Sequence, residues 1–196
     1  MTGSLQLASL LRRYGTFLGF LLIVSFFWSQ RPDTFMTTRN WLNITQQVSI
    51  LCVISFTMTL VMVGGDFDLS VGSMASLSGM IAAVLWQQDV SLFGALGTAL
   101  LVGAFGGVLN GVLVAYAGLS AFVATLGTLT IFSGLALLVS EGKTIFGRAI
   151  PEIVGDFSRG GIPLAEGIQL PNLTLIAISV LILMGIVLQH TVFGRN

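Results

Sequence analysis

Two aspartates, Asp66 and Asp68, lie between two strongly apolar runs in the sequence VMVGGDFDLSVGSMASLSGM, residues 61–80. Between positions 41 and 139 the only other charged residue is Asp89, and this stretch contains no lysine or arginine. A carboxylate in an apolar environment is costly unless hydrogen bonds or a counter-charge satisfy it, and an ionisable residue inside a membrane segment is a candidate functional site. The pair therefore predicts a polar site that serves the structure, the function or both.

A pair of glycines, Gly64 and Gly65, precedes the aspartates and weakens any continuous helix through this point. Asp68 followed by LSVGSM is typical of a helix N-cap, whose carboxylate accepts hydrogen bonds from the free amides of Ser70 or Val71. Non-helical backbone at membrane depth is tolerated only where it is buried in protein or lines a water-filled cavity. Capping alone, and capping combined with a role in a pathway, both stay open for Asp68.

Few other residues could carry chemistry. Asn110 is the other polar amide deep in an apolar run, and it could either bond a neighbouring helix or contact a passing solute. The single cysteine, Cys52, has no histidine near it in sequence, and the single histidine, His190, cannot form a metal cluster. Gly142–Thr144 reads GKT, but Leu137 stands where a phosphate-binding loop needs glycine. We therefore predict no catalytic residue, no metal site and no cofactor bound by this chain.

The composition indicates a membrane protein. Of the 196 residues 55% are hydrophobic and 8% are charged, whereas soluble domains carry about 25% charged residues. The eight basic residues form no cluster, so nucleic acid is not an expected partner. Membrane lipid is an expected partner because of the apolar composition. We predict an all-α integral membrane protein, a polytopic helical bundle forming a single transmembrane domain over residues 1–196, with a solvent loop at 140–169. Six segments approach or meet the spanning length of about 20 residues: Tyr14–Ser29, Trp41–Val63, Leu69–Trp86, Leu92–Tyr116, Ala121–Val139 and Leu170–Gln189.

The fourth predicted span carries small residues at every fourth position, which indicates one face of a helix. Small residues let the backbones of membrane helices approach closely. The third predicted span begins with a similar residue, Gly72, after the helix break at Gly64 and Gly65. We therefore expect a tightly packed bundle. The small residues of the fourth span are Ala95, Ala99, Gly103, Gly107, Gly111 and Ala115.

Four stretches of the chain, in order, resemble the inner-membrane permeases of ATP-binding-cassette sugar importers of the ribose and xylose type. FDLSVGS, at residues 67–73, is similar to the signature of that family. LNGVLVAY, at 109–116, is similar to the segment that closes its fourth span, and FVATLGTLTIFSGLALL, at 122–138, to its Thr-Leu-Gly-Thr helix. TVFGRN, at 191–196, is similar to the opening of its cytoplasmic coupling loop.

The resemblance implies the first half of a ten-span permease, incomplete at its C-terminus, either as a fragment or as a truncated gene product. Phe193, Gly194 and Arg195 match the start of the loop that couples such permeases to their ATPase. Because family members place this loop in the cytoplasm, we expect a cytoplasmic N-terminus and a periplasmic loop 140–169. The positive-inside rule disfavours this orientation. The basic residues that would then lie outside are Arg31, Arg39, Lys143, Arg148 and Arg159.

The resemblance further implies a permease subunit that forms the translocation pathway for a monosaccharide in a bacterial inner membrane. A periplasmic sugar-binding protein would deliver the solute, a cytoplasmic ATP-binding subunit would hydrolyse ATP, and a second permease subunit would complete the transporter. The chain itself would not be an enzyme. Asp66 stands where the family usually has glycine, which makes it the candidate for specificity. The residues expected to line the pathway are Asp66, Asp68, Ser70, Asn110, Thr125 and Thr128.

Three other functions stay open on the sequence. A self-sufficient facilitative or proton-coupled transporter would use Asp66 or Asp68 to carry a proton. A non-transporting membrane assembly protein would bind its partners without either carboxylate. An intramembrane protease would use a carboxylate pair, although such pairs come from separate facing helices and these two lie in one turn.

Overall fold

The computed structural model describes the backbone from Thr2 to Thr191 and the side chains from Arg12 to Thr191. The residues expected to begin a coupling loop, Phe193, Gly194 and Arg195, lie outside the described residues. In chain order the elements are α1 (Thr2–Gln30), α2 (Pro32–Phe35), α3 (Thr38–Val63), α4 (Val71–Gln87), α5 (Leu92–Ala115), α6 (Ala121–Val139), α7 (Glu152–Arg159), β1 (Gly161–Ala165), β2 (Ile168–Pro171) and α8 (Asn172–His190).

The prediction of an all-α membrane bundle with a broken helix is confirmed. Within the described residues, four helices, α3, α5, α6 and α8, are long and apolar enough to cross a membrane. The apolar helix α4 has 17 residues, fewer than the roughly 20 that a perpendicular span needs. Helix α1, whose side chains are described only from Arg12, is not among the four. The count of six spans therefore stays a prediction.

Helix α4 lies at the centre of the first packing unit, in contact with α5 and α6. Leu77 of α4 and Phe132 and Ala136 of α6 form a buried apolar cluster. Helix α5 packs beside this cluster at Gly106, where an added Cβ would lie 1.8 Å from the Met74 methyl carbon and 3.3 Å from the Phe132 ring. Small residues allow this approach, as expected for membrane helices.

A Cβ at Gly72, Gly107 or Gly111 would meet no atom within 4 Å in the described part of the chain, so the packing role of these residues stays a prediction. Gly103 has one such contact, at 3.4 Å from the Ser78 hydroxyl oxygen, and the close approach falls instead at Gly106. An α-helix turns about 100° per residue, so residues spaced by four drift about 40° per step around the helix. Small residues at every fourth position of α5 therefore rotate away from the side that faces α4 within a few turns.

Helices α3 and α8 form the second packing unit, joined by hydroxyl groups. The Thr174 hydroxyl of α8 donates to the Thr45 hydroxyl of α3 at 3.1 Å, and the Ser49 hydroxyl lies 3.4 Å from that of Thr174. Ser49 and Thr174 are both buried. Each hydroxyl lies in an otherwise apolar contact, so these bonds fix how α8 is rotated against α3.

The predicted solvent loop at 140–169 contains regular structure. A 3₁₀ turn at Gly147–Ala149 precedes α7, and β1 and β2 then form an antiparallel hairpin that pairs Gly161 with Pro171. The hairpin includes Leu170 and Pro171, so α8 begins at Asn172 and not at the predicted Leu170. A hairpin here brings the end of the loop back onto the start of α3.

Candidate functional site

The helix break predicted at the glycine pair is the centre of the candidate site. Helix α3 ends at Val63, Gly64 keeps a helical φ of −69°, and Gly65 has a φ of +92°. Glycine adopts positive φ without steric cost, so Gly65 is the residue at which the chain turns out of the helix. Residues 66–70 are non-helical, and α4 begins at Val71.

The Asp68 carboxylate is held by three hydrogen bonds. Its Oδ1 accepts the Ser70 backbone N–H at 2.8 Å and the Ser70 hydroxyl at 2.6 Å. Its Oδ2 accepts the Asn110 side-chain amide at 3.2 Å. Asn110 also donates to the Ser70 hydroxyl oxygen at 2.7 Å, which closes a three-residue network. Because Asn110 belongs to α5, this network ties the helix break to a neighbouring helix.

The capping role of Asp68 differs in one respect from the prediction. The Ser70 amide is bonded as predicted, but the N-cap residue of α4 is Ser70, and Asp68 lies two residues before it. The carboxylate therefore closes a local turn through the residue two positions on, a conformation that aspartate favours. For Asn110, the bond runs from α5 to the non-helical segment before α4, and not to a neighbouring helix as expected; contact with a solute stays a prediction.

Thr125 connects the helix break to α6. Its hydroxyl oxygen accepts the backbone N–H of Leu69 at 3.1 Å and donates to the Ala121 carbonyl at 2.7 Å. Thr128, one turn further along, donates to the Thr125 carbonyl at 3.3 Å. Both threonines are buried. The hydroxyl hydrogens of both residues are therefore used within α6.

Asp66 is not part of this network. Its side chain is exposed and has no hydrogen bond to another side chain or backbone group among the described residues. It lines a cavity beside the network and does not contact Asp68 through a hydrogen bond. The structure thus brings together Asp68, Ser70, Asn110 and Thr125, and leaves Asp66 separate.

Two cavities flank the network. The first, of about 170 Å³, lies between α3, α4 and α5 and is lined by Thr57, Met74, Gly106 and Phe132 in addition to the network residues. The second, of about 270 Å³, is lined by Asp66, Phe67 and Gly111. Asp68, Gly107 and Asn110 line both cavities. Polar groups that border two cavities can contact solvent or a solute from either side.

Sequence reasoning missed Thr57, Phe67 and Phe132 as cavity residues. Thr57 lies in α3 one turn before Val61, which lines the second cavity, so helical spacing carried a weak signal for it. Phe67 stands between the two aspartates and is exposed. Phe132 is buried and packs like a core residue, so its type and position gave no sign of a cavity.

The ion pairs of the described chain lie away from this site, in the loop between α6 and β1. Lys143 bonds Glu141, and Arg159 bonds Asp156 at 3.2 Å, with all four side chains largely exposed. The Lys143 hydrogen bond, with its charge, lowers the pKa of Glu141. Exposed pairs of this kind add little stability. Over the described residues, no group of three or more histidine, cysteine, aspartate or glutamate side chains is placed to hold a metal ion.

Residues 40–196 match the model of the family described as branched-chain amino acid transport system / permease component. The D-allose transport system permease protein AlsC of Escherichia coli is 34% identical over 185 residues, which cover 94% of this chain and 55% of that protein. The ribose import permease protein RbsC of Bacillus subtilis is 32% identical over 186 residues, covering 95% and 56%. The chain thus spans about half the length of these curated relatives. No solved structure matches it significantly.

Proposed function

Because the chain belongs to the family described as branched-chain amino acid transport system / permease component, and its described residues include four helices able to cross a membrane, we propose that it forms part of the translocation pathway for a monosaccharide. The permease resemblance indicated by the four motifs is confirmed by this membership. The observation that carries the proposal is the likeness to the D-allose and ribose permeases, which extends over 94% and 95% of the chain.

The polar network at the helix break supports a sugar as the solute. Sugar hydroxyls both donate and accept hydrogen bonds, and the network offers the Asp68 carboxylate, the Asn110 amide and the Ser70 hydroxyl beside two cavities. Asp66 would contact the solute from the exposed side of the second cavity. Thr125 and Thr128 would not contact the solute directly. Thr125 would position the pathway wall through its hydrogen bond from the Leu69 N–H, and Thr128 through its hydrogen bond to the Thr125 carbonyl within α6.

The proposed transporter needs partners that supply energy and substrate. ATP would be hydrolysed by a cytoplasmic ATP-binding subunit, as the likeness to transport system permeases suggests. A periplasmic sugar-binding protein would deliver the solute, and a second permease subunit would complete the pathway in the bacterial inner membrane. In this arrangement the N-terminus lies in the cytoplasm.

Reconstitution tests the proposal. The full-length permease, an ATP-binding subunit and a sugar-binding protein are placed in proteoliposomes, and uptake of labelled D-ribose and D-allose is measured with and without enclosed ATP. We expect uptake of at least one sugar that requires both ATP and the binding protein. Labelled leucine serves as the comparison, because the family description refers to amino acids.

Two results would contradict the proposal. Leucine uptake without sugar uptake would favour an amino acid permease. Sugar uptake that persists without the ATP-binding subunit, but is lost on replacing Asp66 or Asp68, would favour the proton-coupled or facilitative transporter.

A further inference from the structure

The side-chain oxygen of Asn110 is a buried hydrogen-bond acceptor whose partner is not another described residue. Asn110 is 6% exposed, and its Oδ1 is buried without a hydrogen-bond partner in the described part of the chain. Its Nδ2 donates to Ser70 Oγ and Asp68 Oδ2 at 2.7 and 3.2 Å. Rotating the amide by half a turn would set Oδ1 against the Asp68 carboxylate, acceptor against acceptor. The network therefore fixes which atom of Asn110 is left to bind something else.

A buried amide carbonyl without a partner is costly, at roughly 1–3 kcal/mol, and nearly all such groups in folded proteins are satisfied by protein or by water. Asn110 lines both the 170 Å³ and the 270 Å³ cavity, so space for a partner lies beside this residue. A polar cavity of this size has room for water or for a small polar group.

The neighbouring Asp68 carboxylate has capacity left for a further donor. An ionised carboxylate offers about four acceptor positions, and Asp68 uses three, two on Oδ1 and one on Oδ2. Both free positions, on Asn110 Oδ1 and on Asp68, are acceptors only. Any molecule that satisfies them must therefore donate hydrogen bonds.

We propose that Asn110 Oδ1 and the free acceptor position of Asp68 form a site between the two cavities that binds two O–H donors, one on each acceptor. Two sources can supply these donors: an ordered water molecule, which has two hydrogens, or two hydroxyls of the transported solute. The second source rests on the proposed sugar-transport function. An analogue whose only groups at this point are acceptors would leave both atoms unsatisfied and would bind less tightly.

Gly107 allows the site to be filled without removing any network residue. It lines both cavities beside Asn110, and a Cβ at this position would meet no atom within 4 Å. The Gly107→Leu substitution places an apolar side chain there and excludes a hydroxyl. Gly72→Leu is the matched control, because Gly72 is also helical, also has open space around it, and lines neither cavity.

The experiment uses the full-length chain and has two readouts. The first is the thermal unfolding midpoint of the purified protein in detergent; the second is D-ribose uptake in proteoliposomes containing the ATP-binding and sugar-binding partners. If the site holds a solute hydroxyl, Gly107→Leu reduces uptake about ten-fold or more relative to Gly72→Leu, as expected for one or two lost hydrogen bonds. If it holds only water, the midpoint of Gly107→Leu falls below that of Gly72→Leu while uptake stays within about two-fold.

Equal midpoints and equal uptake for Gly107→Leu and Gly72→Leu would overturn the proposal. If the unmodified transporter takes up no sugar, the proposed function fails, and the midpoint comparison still decides whether the hydroxyl site exists.

Discussion

Two aspartates separated by one residue occupy different environments. Asp68 accepts three hydrogen bonds and joins two helices, whereas Asp66 is exposed and makes no side-chain hydrogen bond within the described residues. The difference follows from the backbone, because Gly65 turns the chain and directs the next residues out of the helix axis. Residue type alone therefore does not assign a role to either carboxylate.

We expect Asp68→Ala to lower the free energy of unfolding by about 2–4 kcal/mol, because it leaves the Ser70 amide, the Ser70 hydroxyl and the Asn110 amide without their acceptor. Thermal unfolding in detergent measures the change. Asp66→Ala is the matched control and should change the unfolding free energy by less than about 0.5 kcal/mol. Equal losses for the two variants would show that the network does not stabilise the helix break.

Thr125→Val tests the bond between the helix break and α6. Valine has the same shape but leaves the Leu69 N–H without its acceptor, so we expect a loss of about 1–2 kcal/mol in the free energy of unfolding. Thr130→Val on the same helix is the control, because the Thr130 hydroxyl is exposed and bonds only its own helix, to Leu126. A loss at Thr130 as large as that at Thr125 would contradict the role assigned to Leu69.

At the scale of the elements, the break between α3 and α4 depends on one glycine of the pair. Gly65 has a positive φ that costs other residues about 1–2 kcal/mol, whereas Gly64 has a helical φ that any residue adopts. We therefore expect Gly65→Ala to destabilise the protein by that amount and Gly64→Ala to leave its unfolding midpoint unchanged or slightly raised. If Gly64→Ala lowered the thermal unfolding midpoint more than Gly65→Ala, the assignment of the turn to Gly65 would be contradicted.

The contact between α4 and α5 depends on Gly106. A methyl group there would displace the flexible end of the Met74 side chain and press on Phe132, so we expect Gly106→Ala to cost about 1 kcal/mol, the low end for overpacking. Gly111→Ala on the same helix has open space around its Cβ and should leave the unfolding midpoint unchanged or raised. Shortening Met74 to valine in the Gly106→Ala background should recover part of the loss, which a double-mutant comparison of unfolding midpoints measures.

The helices could be predicted from the sequence because the length of an apolar run is a local property. The predicted α6, Ala121–Val139, has the observed bounds, and α5 ends one residue before its predicted end. The Asp68–Ser70 bond was also predictable, since it joins residues two positions apart. The bond between Asn110 and Asp68 joins residues 42 positions apart and depends on how α5 is rotated, which no local pattern specifies.

At the scale of the whole molecule, the loop after α6 folds back onto the beginning of α3. The Arg39 side chain donates to the Gly167 carbonyl at 3.2 Å, and the Gln46 amide donates to the Ser158 carbonyl at 2.7 Å. These bonds join positions more than a hundred residues apart, and β1 itself contains a glycine and a proline. Strands are predicted from a local alternation of apolar and polar residues. The short segment GIPLA of β1 does not show that alternation, so the sequence did not predict the hairpin.

These contacts place the α2 turn and the loop between α6 and α8 at the same end of the bundle. If that end is periplasmic, as proposed, cysteines introduced there must react with a membrane-impermeant maleimide in intact cells. We expect Asp33→Cys and Glu152→Cys, both at exposed positions, to be labelled from outside in a background in which Cys52 is replaced by alanine. Ser120→Cys, exposed in the turn between α5 and α6, should be labelled only after the membrane is permeabilised.

Labelling tests the fold and the orientation separately. Asp33→Cys and Glu152→Cys must behave alike if α3 and the hairpin meet as the Arg39–Gly167 bond requires, whichever side they face. Opposite labelling of these two positions would contradict the fold. Labelling of both only after permeabilisation, with Ser120→Cys labelled from outside, would keep the fold and reverse the orientation. That reversal would agree with the positive-inside rule, and it would place the loop of α7 and the hairpin where an ATP-binding subunit, and not a sugar-binding protein, could reach it.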